Sequence, residues 1–399
     1  MSHEFIDLFN APPSNAFLTK EQLNEPEVFY PLKLYICDLC FLVQIDEYKK
    51  SSDIFDSEYV YFSSFSTTWL AHAREYVDLM IEKYGYDHTS RVIEIASNDG
   101  YLLQYFKERE IPSLGIEPAA GTAVEARKKG IETIVDFFGK RLAQGLADQG
   151  RKADLLIGNN VLAHVPDLHD FVAGLKIALK PSGIITMEFP HLMQLVDNCQ
   201  FDTIYHEHFS YLSFMTVRSI FKHHGLEIFD VGELSTHGGS LRIFAKHAED
   251  NTRANSENVN AVLEKEVSRG LNTMAYYRDF QTKVDQIKYD LLKFLVRQKE
   301  KGHKVAAYGA AAKGNTLLNY CGVRNDLIAF VVDASPHKQG KYLPGSHIPV
   351  VKEQELREYK PDYVLILPWN LKDEIAAQLD YIRSWEGKFV LPIPYLQVI

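Results

Sequence analysis

The chain has 399 residues, 46% of them apolar and 24% charged, with a formal net charge of −10. That length calls for two or three domains, and an acidic balance without any long basic run excludes nucleic acid or an anionic membrane as the main partner. Four cysteines (Cys37, Cys40, Cys199, Cys321) are too few for a disulfide scaffold. With no signal peptide and no twenty-residue apolar span in the sequence, a reduced, cytoplasmic enzyme is expected.

In chain order, residues 1–72 read as a small irregular module. "NAPPSNAFL" is a loop, and "YPLKLYICDLCFLVQID" is two short strands around the Cys37–Cys40 turn. A helical period begins at "TTWLAHAREYVDLMIEKYG". Across 73–248, strand-like runs then alternate with helical ones: "RVIEIAS" with "GYLLQYFKERE", "SLGIEP" with "AGTAVEARKKG", "IETIVDFF" with "GKRLAQGLADQG", and "DLLIGNNV" with "LHDFVAGLKIAL", before "GIITMEFP". This alternation predicts an α/β domain with a parallel sheet wound on both faces, a Rossmann-like arrangement. Two last strands, "LEIFDVGEL" and "SLRIFAKH", are joined by "STHGG". Residues 249–399 open with polar helices that stop at Gly302, and a second strand–turn–helix series follows in "KVAAYGAAAKGNTLLNYC", "LIAFVVDASP", "DYVLILPW" and "KFVLPIP".

The turn in "VIEIASNDGYLL" lies where doubly wound sheets bind ligands, at the carboxyl end of a strand. It is not the GxGxxG of phosphate binders. Glu94 is read as lying in this turn, with Ala96, Asn98 and Gly100. A carboxylate there repels a diphosphate and attracts a sulfonium-bearing amino acid. Glu117, followed by Pro118, ends the next strand some twenty residues on, suiting an acceptor for two ribose hydroxyls. Asp136 ends the third strand beside Phe137 and Phe138, placed to accept from an adenine amine while a ring packs nearby. Asn159 and Asn160 end the fourth. One acidic strand end is commonly a cap; four such ends in succession describe S-adenosylmethionine.

The stretch "FDTIYHEHFSYLS", 201–213, gathers side chains that give, take or steer protons. As one helical turn it puts Tyr205 and His208 on one face with Glu207 alongside to orient an imidazole; as a strand it would put both histidines opposite Tyr205 and Glu207. The turn is favoured because it unites base and hydroxyl. Such a set can move a proton: a base of near-neutral pKa takes it, and donors hold the oxygen on which charge then develops.

Taken together, "EIASNDG", "GIEPA", "NNVLAHVPD", "EFPHL", "FDTIYHEHFSYLS", "THGGSLR", "AAYGAAAKGNTLLNYCG" and "GSHIPV" resemble the C-methyltransferases of nucleotide-linked 4-keto-deoxysugars, from about residue 10 to the C-terminus. The resemblance implies methylation of C3 beside a C4 ketone, with S-adenosylmethionine as cofactor and a nucleotide-diphosphate-linked sugar as partner. It further implies that His208 is the base, that Glu207 positions a histidine, that Tyr205 donates to the enolate oxygen, and that His164 and Tyr61 surround the sugar. His206 stands where relatives often carry another polar residue and is not assigned a catalytic role.

His237 in "THGGSLR" reads equally as a tight-hairpin residue or a substrate-lining one, and Arg242 as a surface arginine rather than a phosphate ligand. The family pattern has two N-terminal cysteine pairs, but here only Cys37 and Cys40 remain, with His3 as a third candidate. Structural zinc needs four ligands, so a degenerate module without metal is expected. "AAYGAAAKGNT" mimics a dinucleotide fingerprint with Asp333 some twenty residues beyond, but only Gly309 and Gly314 are present. Lys313 at a helix start, with Asn315 beside it, suits the diphosphate of a sugar nucleotide. A nicotinamide-dependent sugar-nucleotide oxidoreductase or epimerase, and a non-catalytic sugar-nucleotide binder, are the alternatives; a monomer is expected.

Overall fold

The computed structural model describes residues 2–54 and 62–399. Strands β1 (Ser2–Ala11), β2 (Tyr30–Cys37) and β3 (Val43–Ile45) form an antiparallel N-terminal sheet. β2 alternates buried Leu32, Leu34 and Ile36 with half-buried neighbours, the period-2 pattern of a sheet with one covered face.

The central sheet begins with β4 (Val92–Ile95), β5 (Ser113–Ile116), β6 (Glu132–Ile134), β7 (Ala153–Asn159) and β8 (Leu179–Pro190), all parallel. Next, β9 (Ser210–Tyr211) leaves this sheet and pairs with β3 as the fourth strand of the N-terminal one. The segment "FDTIYHEHFSYLS" is thereby sewn between two sheets. β10 (Leu226–Leu234) and β11 (Ser240–His247) complete the central sheet in the order β10-β11-β8-β7-β4-β5-β6, with β11 antiparallel to both neighbours. β4 is buried throughout, as expected where helices cover both faces. Tyr76, Val77, Met80 and Phe106 cover one face; Phe171, Val172, Leu175 and Phe221 cover the other. The sheet reverses its winding direction beside β4 and β7, which opens the ligand crevice at their carboxyl ends.

The third sheet is β12 (Val305–Tyr308), β13 (Val331–Val332), β14 (Val350–Val351), β15 (Tyr363–Ile366), β16 (Lys388–Leu391) and β17 (Gln397–Val398), ordered β14-β13-β12-β15-β16-β17. It is parallel apart from its last strand. One core joins this sheet to the N-terminal one. Phe5, Leu8, Leu34 and Ile36 share it with Phe201, Ile204 and Phe209, with Leu291 and Leu295 of the helix Phe280–Glu300, and with Leu317 of the helix Ala312–Cys321. The helix Glu257–Arg269 is tied to the central domain through Glu266. That carboxylate is fully buried and accepts from the ring of His191 (2.7 Å) and from the amides of Phe214 and Met215. No helix among the described residues is long and apolar enough to cross a membrane.

Candidate active site

At the end of β4 the chain makes a turn that needs left-handed backbone three times: φ is +55° at Ala96, +49° at Asn98 and +75° at Gly100. Gly100 has a second constraint, since a Cβ there would come within 2.4 Å of Ile131. An alanine at φ +55° carries a steric cost of roughly 1–2 kcal/mol that glycine avoids, partly offset by the entropy glycine loses on folding. Ala96→Gly is therefore expected to stabilise the chain by roughly 0.5–1 kcal/mol. Denaturant unfolding checks this, and a destabilised variant would show that the methyl group's packing outweighs the strain.

Glu94 lies within β4 and not in the turn, contrary to the sequence reading. It is fully buried, and burial raises its pKa well above the ordinary range against a hydrogen-bonding contact with the Tyr101 hydroxyl, which leaves neither oxygen fully satisfied. The Oδ1 atoms of Asn159 and Asn160 are buried without partners. The two asparagine oxygens are acceptors, as is Glu94 once an ammonium beside it favours its ionised form, whereas the ammonium, ribose hydroxyls and amine of S-adenosylmethionine are donors, so the residues present fit that group. Glu117, also buried, accepts from the amides of Asn98 and Ala119 at 2.9 Å each. Each carboxylate oxygen retains a further lone pair. Its neighbour Pro118 is half-buried.

Asp136 lies two residues past the end of β6, where Nη2 of the exposed Arg141 meets both its oxygens at 2.6 and 2.8 Å; like Glu117, it retains further lone pairs. Phe137 remains 42% exposed and offers a ring to a flat base. Phe138 packs edge-on against Phe171 instead.

Within "FDTIYHEHFSYLS", Phe201–Thr203 is a short 3-10 helix and Tyr205–His208 a β-turn rather than a turn of α-helix, with His208 N donating to Tyr205 O at 2.9 Å. The turn still unites the expected rings: Tyr205 and His208 lie 4.0 Å apart centre to centre, and His164 meets His208 edge-on at 4.7 Å. The Phe209 amide donates to Ala163 O at 2.7 Å, fastening this loop to the one that carries His164. His208 Nδ1 lies 2.8 Å from the Thr203 carbonyl. A carbonyl only accepts, so Nδ1 carries the proton and Nε2 keeps its lone pair. Burial first, and then the neighbouring His164, hold His208 well below its ordinary pKa, so it is neutral at physiological pH. Burial likewise lowers His164 to about 4.

Glu207 does not orient His208; the Thr203 carbonyl has that position, and the Glu207 carboxylate accepts from Asn15 Nδ2 at 2.7 Å. Burial pushes its pKa to about 7 from an ordinary 4.5. The stability that goes with its protonated form is therefore complete below pH 4.5 and lost as pH rises through 7. Glu207→Gln keeps the Asn15 bond and removes this loss. At pH 8 the variant is expected to be more stable by on the order of 2–3 kcal/mol, the gain shrinking towards zero near pH 4.5. Unfolding in denaturant at both pH values checks it, and a gain independent of pH would contradict the assignment. His206 is structural: its Nε2 lies 3.1 Å from Pro31 O and its ring meets Tyr30.

His237, at φ +54°, lies 3.0 Å from Asn160 Nδ2 and against Trp69, and burial lowers its pKa to about 4. Beneath it is a cluster that sequence reasoning missed. Arg242 is buried, not a surface residue, and donates to Glu188 at 2.6 Å. Glu188 also contacts His72 at 2.9 Å and accepts from Thr236 Oγ1. Burial works against the charge of Glu188, yet His72, Arg242 and Thr236 hold it at about 2. Only the position of Arg242 in an otherwise apolar strand signalled this.

From the C-terminal sheet, Lys313 donates to Asn370 Oδ1 at 2.7 Å and lies over the Trp369 ring. Its charge helps to lower the pKa of both His208 and His237. Trp369 Nε1 donates to the fully buried Asp202 at 2.8 Å, and burial raises that carboxyl to about 6. Asn315 is buried with both side-chain polar atoms unpartnered. In the turn before this helix, Asp333 accepts from the Ala310 and Ser335 amides, leaving it committed to the protein's own backbone. Tyr61 lies outside the described residues.

The sheet order, the turn after β4 and its acceptor-lined crevice define an S-adenosylmethionine-dependent methyltransferase of the class I fold. Family models match in three segments: a proposed zinc-binding domain over 1–55, a methyltransferase domain over 69–231, and a C-methyltransferase C-terminal domain over 235–394. The chain is 33% identical over 396 residues to C-methyltransferase NovU of Streptomyces niveus, spanning 99% of this chain and 94% of that protein. It belongs to this C-methyltransferase family. A shorter match, 26% over 116 residues, is to a ubiquinone biosynthesis O-methyltransferase of Azorhizobium caulinodans, covering 27% of this chain and 46% of that one. Among solved structures, the PH0226 protein of Pyrococcus horikoshii aligns with 50% of this chain and 99% of its own at 14% identity and a TM-score of 0.38. Family membership sets aside the nicotinamide-dependent alternative. The N-terminal family implies zinc; among the described residues Cys37 and Cys40 converge with no third ligand, and His3 lies on Asp38 at 3.1 Å.

Proposed function

We propose that the chain methylates C3 of a nucleotide-diphosphate-linked 4-keto-6-deoxysugar, through an enolate that His208 generates. The observation that carries this reading is the fixed tautomer of His208, neutral and with Nε2 as its basic nitrogen, packed between Tyr205 and His164. When bound, S-adenosylmethionine supplies an electrophilic methyl group. Glu94, Asn98, Glu117, Asn159 and Asn160 hold it at the ends of the central strands, with Phe137 against its base and Ala96 and Gly100 shaping the turn.

His208 Nε2 takes the proton from the carbon beside the ketone. Tyr205 donates to the oxygen on which negative charge then develops. Lys313 adds a cation and Asn315 a polar side chain toward the nucleotide sugar, which residues 73–248 and 249–399 enclose between them, and His237 lines that cleft. The test offers several nucleotide-linked 4-keto-6-deoxysugars with the cofactor and reads the products by mass spectrometry. A gain of one methylene on at least one sugar is expected. Methylation of non-sugar ketones alone would refute the substrate class.

A further inference from the structure

Three histidines outside this cleft converge on the surface of the central domain. His169 lies in the first turn of the helix Leu168–Ala178, which Asp167 caps; His223 is the last residue of the helix Phe214–His223, and His224 is its C-cap. His169 Nδ1 and His224 Nε2 are 2.9 Å apart, and one ligand nitrogen from each of the three rings lies within 4.8 Å of the others. The ring centres are 5.0 to 5.4 Å apart. These rings contact one another rather than any residue of the cleft.

We propose that His169, His223 and His224 form a site for a divalent transition metal ion of the Zn²⁺ type. Neutral imidazole is the donor such ions favour, and three of them with water in the fourth position make a familiar open tetrahedral set. Metal–nitrogen bonds of about 2.0–2.1 Å hold tetrahedral ligand atoms roughly 3.3 Å apart. The observed nitrogens straddle that spacing, and His169 and His223 are exposed enough to swing the remaining distance. In the metal-free state one of the His169–His224 pair donates to the other. Binding moves that proton to the donor's second ring nitrogen, so both facing lone pairs reach the ion. The nearby Lys140 ammonium is paired with Asp170 at 3.6 Å, which reduces its repulsion. An ion here would fasten the end of one helix to the start of another.

The test uses full-length, tag-free protein stripped with chelator, then titrated with Zn²⁺ calorimetrically and with Co²⁺ by visible absorption. One ion per chain is expected, with the Co²⁺ band intensity of tetrahedral coordination. His169→Gln and His224→Gln should each weaken binding at least about 10-fold, since losing even a residue that only orients a ligand costs that much, while methyl transfer and the circular dichroism spectrum stay unchanged. Cys37→Ser with Cys40→Ser should leave the titration as it was. Absence of saturable binding, or binding that survives both histidine changes and disappears with the cysteines, would overturn the site.

Discussion

His208→Asn is expected to lose methyl transfer by roughly 10²–10⁴-fold, the usual contribution of a general base, while S-adenosylmethionine still binds. Asparagine can donate from its amide towards the Thr203 carbonyl that His208 Nδ1 now meets at 2.8 Å, so the loop has reason to keep its shape. What it lacks is a basic nitrogen. Because His208 is held well below its ordinary pKa, it stays unprotonated through neutral pH. Wild-type kcat/KM should therefore remain level as pH falls from 8 to 6.5 and drop only in more acid solution. Turnover in the variant within threefold of wild type would remove His208 from the role.

Glu117→Gln is expected to weaken S-adenosylmethionine binding by roughly 10–100-fold, because a hydrogen bond to a charged group contributes about 1.5–3 kcal/mol. Glu117 is buried and its two oxygens hold the Asn98 and Ala119 amides at 2.9 Å. The same carboxylate shapes the turn and, in the proposed function, accepts from the ribose. Glutamine keeps the volume and one acceptor, and turns the other towards its partners as a donor. Equilibrium titration with the cofactor reads the effect directly. With cofactor at saturation the turnover number should recover most of its wild-type value, since Glu117 has no part in proton removal. An unchanged dissociation constant would show that the carboxylate serves the backbone alone.

The elements that were legible in the sequence are those with a strong period or an unbroken apolar run. β4, β5, β7 and the second half of β8 are buried apolar stretches, and their alternation with helices leads to the α/β sheet that is observed. Less legible was anything set by long-range contact. β9 is two residues long, and its pairing with β3 depends on a partner more than 160 residues away. The same holds for side chains whose partners come from afar. Glu207 has its nearest charged or polar neighbours in sequence at hand, yet it bonds to Asn15; Arg242 reads as a surface residue until Glu188, Tyr76 and His72 surround it. Glu94 was misplaced by a residue or two because strand ends cannot be fixed from hydrophobicity when Ile95 and Ala96 continue the apolar run. The contact of Asp136 with Arg141 is local, but the strand pattern alone does not show it. The meeting of Tyr205, His208 and His164 depends on a β-turn and on the Phe209–Ala163 bond. Sequence proximity hinted at the first two residues, and the resemblance to a family supplied the third.

The most direct measurement follows the hydrogen on the carbon that receives the methyl group. Substrate labelled with deuterium beside the ketone is incubated with enzyme and cofactor in ordinary water, and the branched product is weighed. Loss of the label in step with methyl gain is expected, with His208→Asn slowing both together. Product formed at the normal rate with its deuterium still in place would mean that no imidazole-driven deprotonation creates the nucleophile.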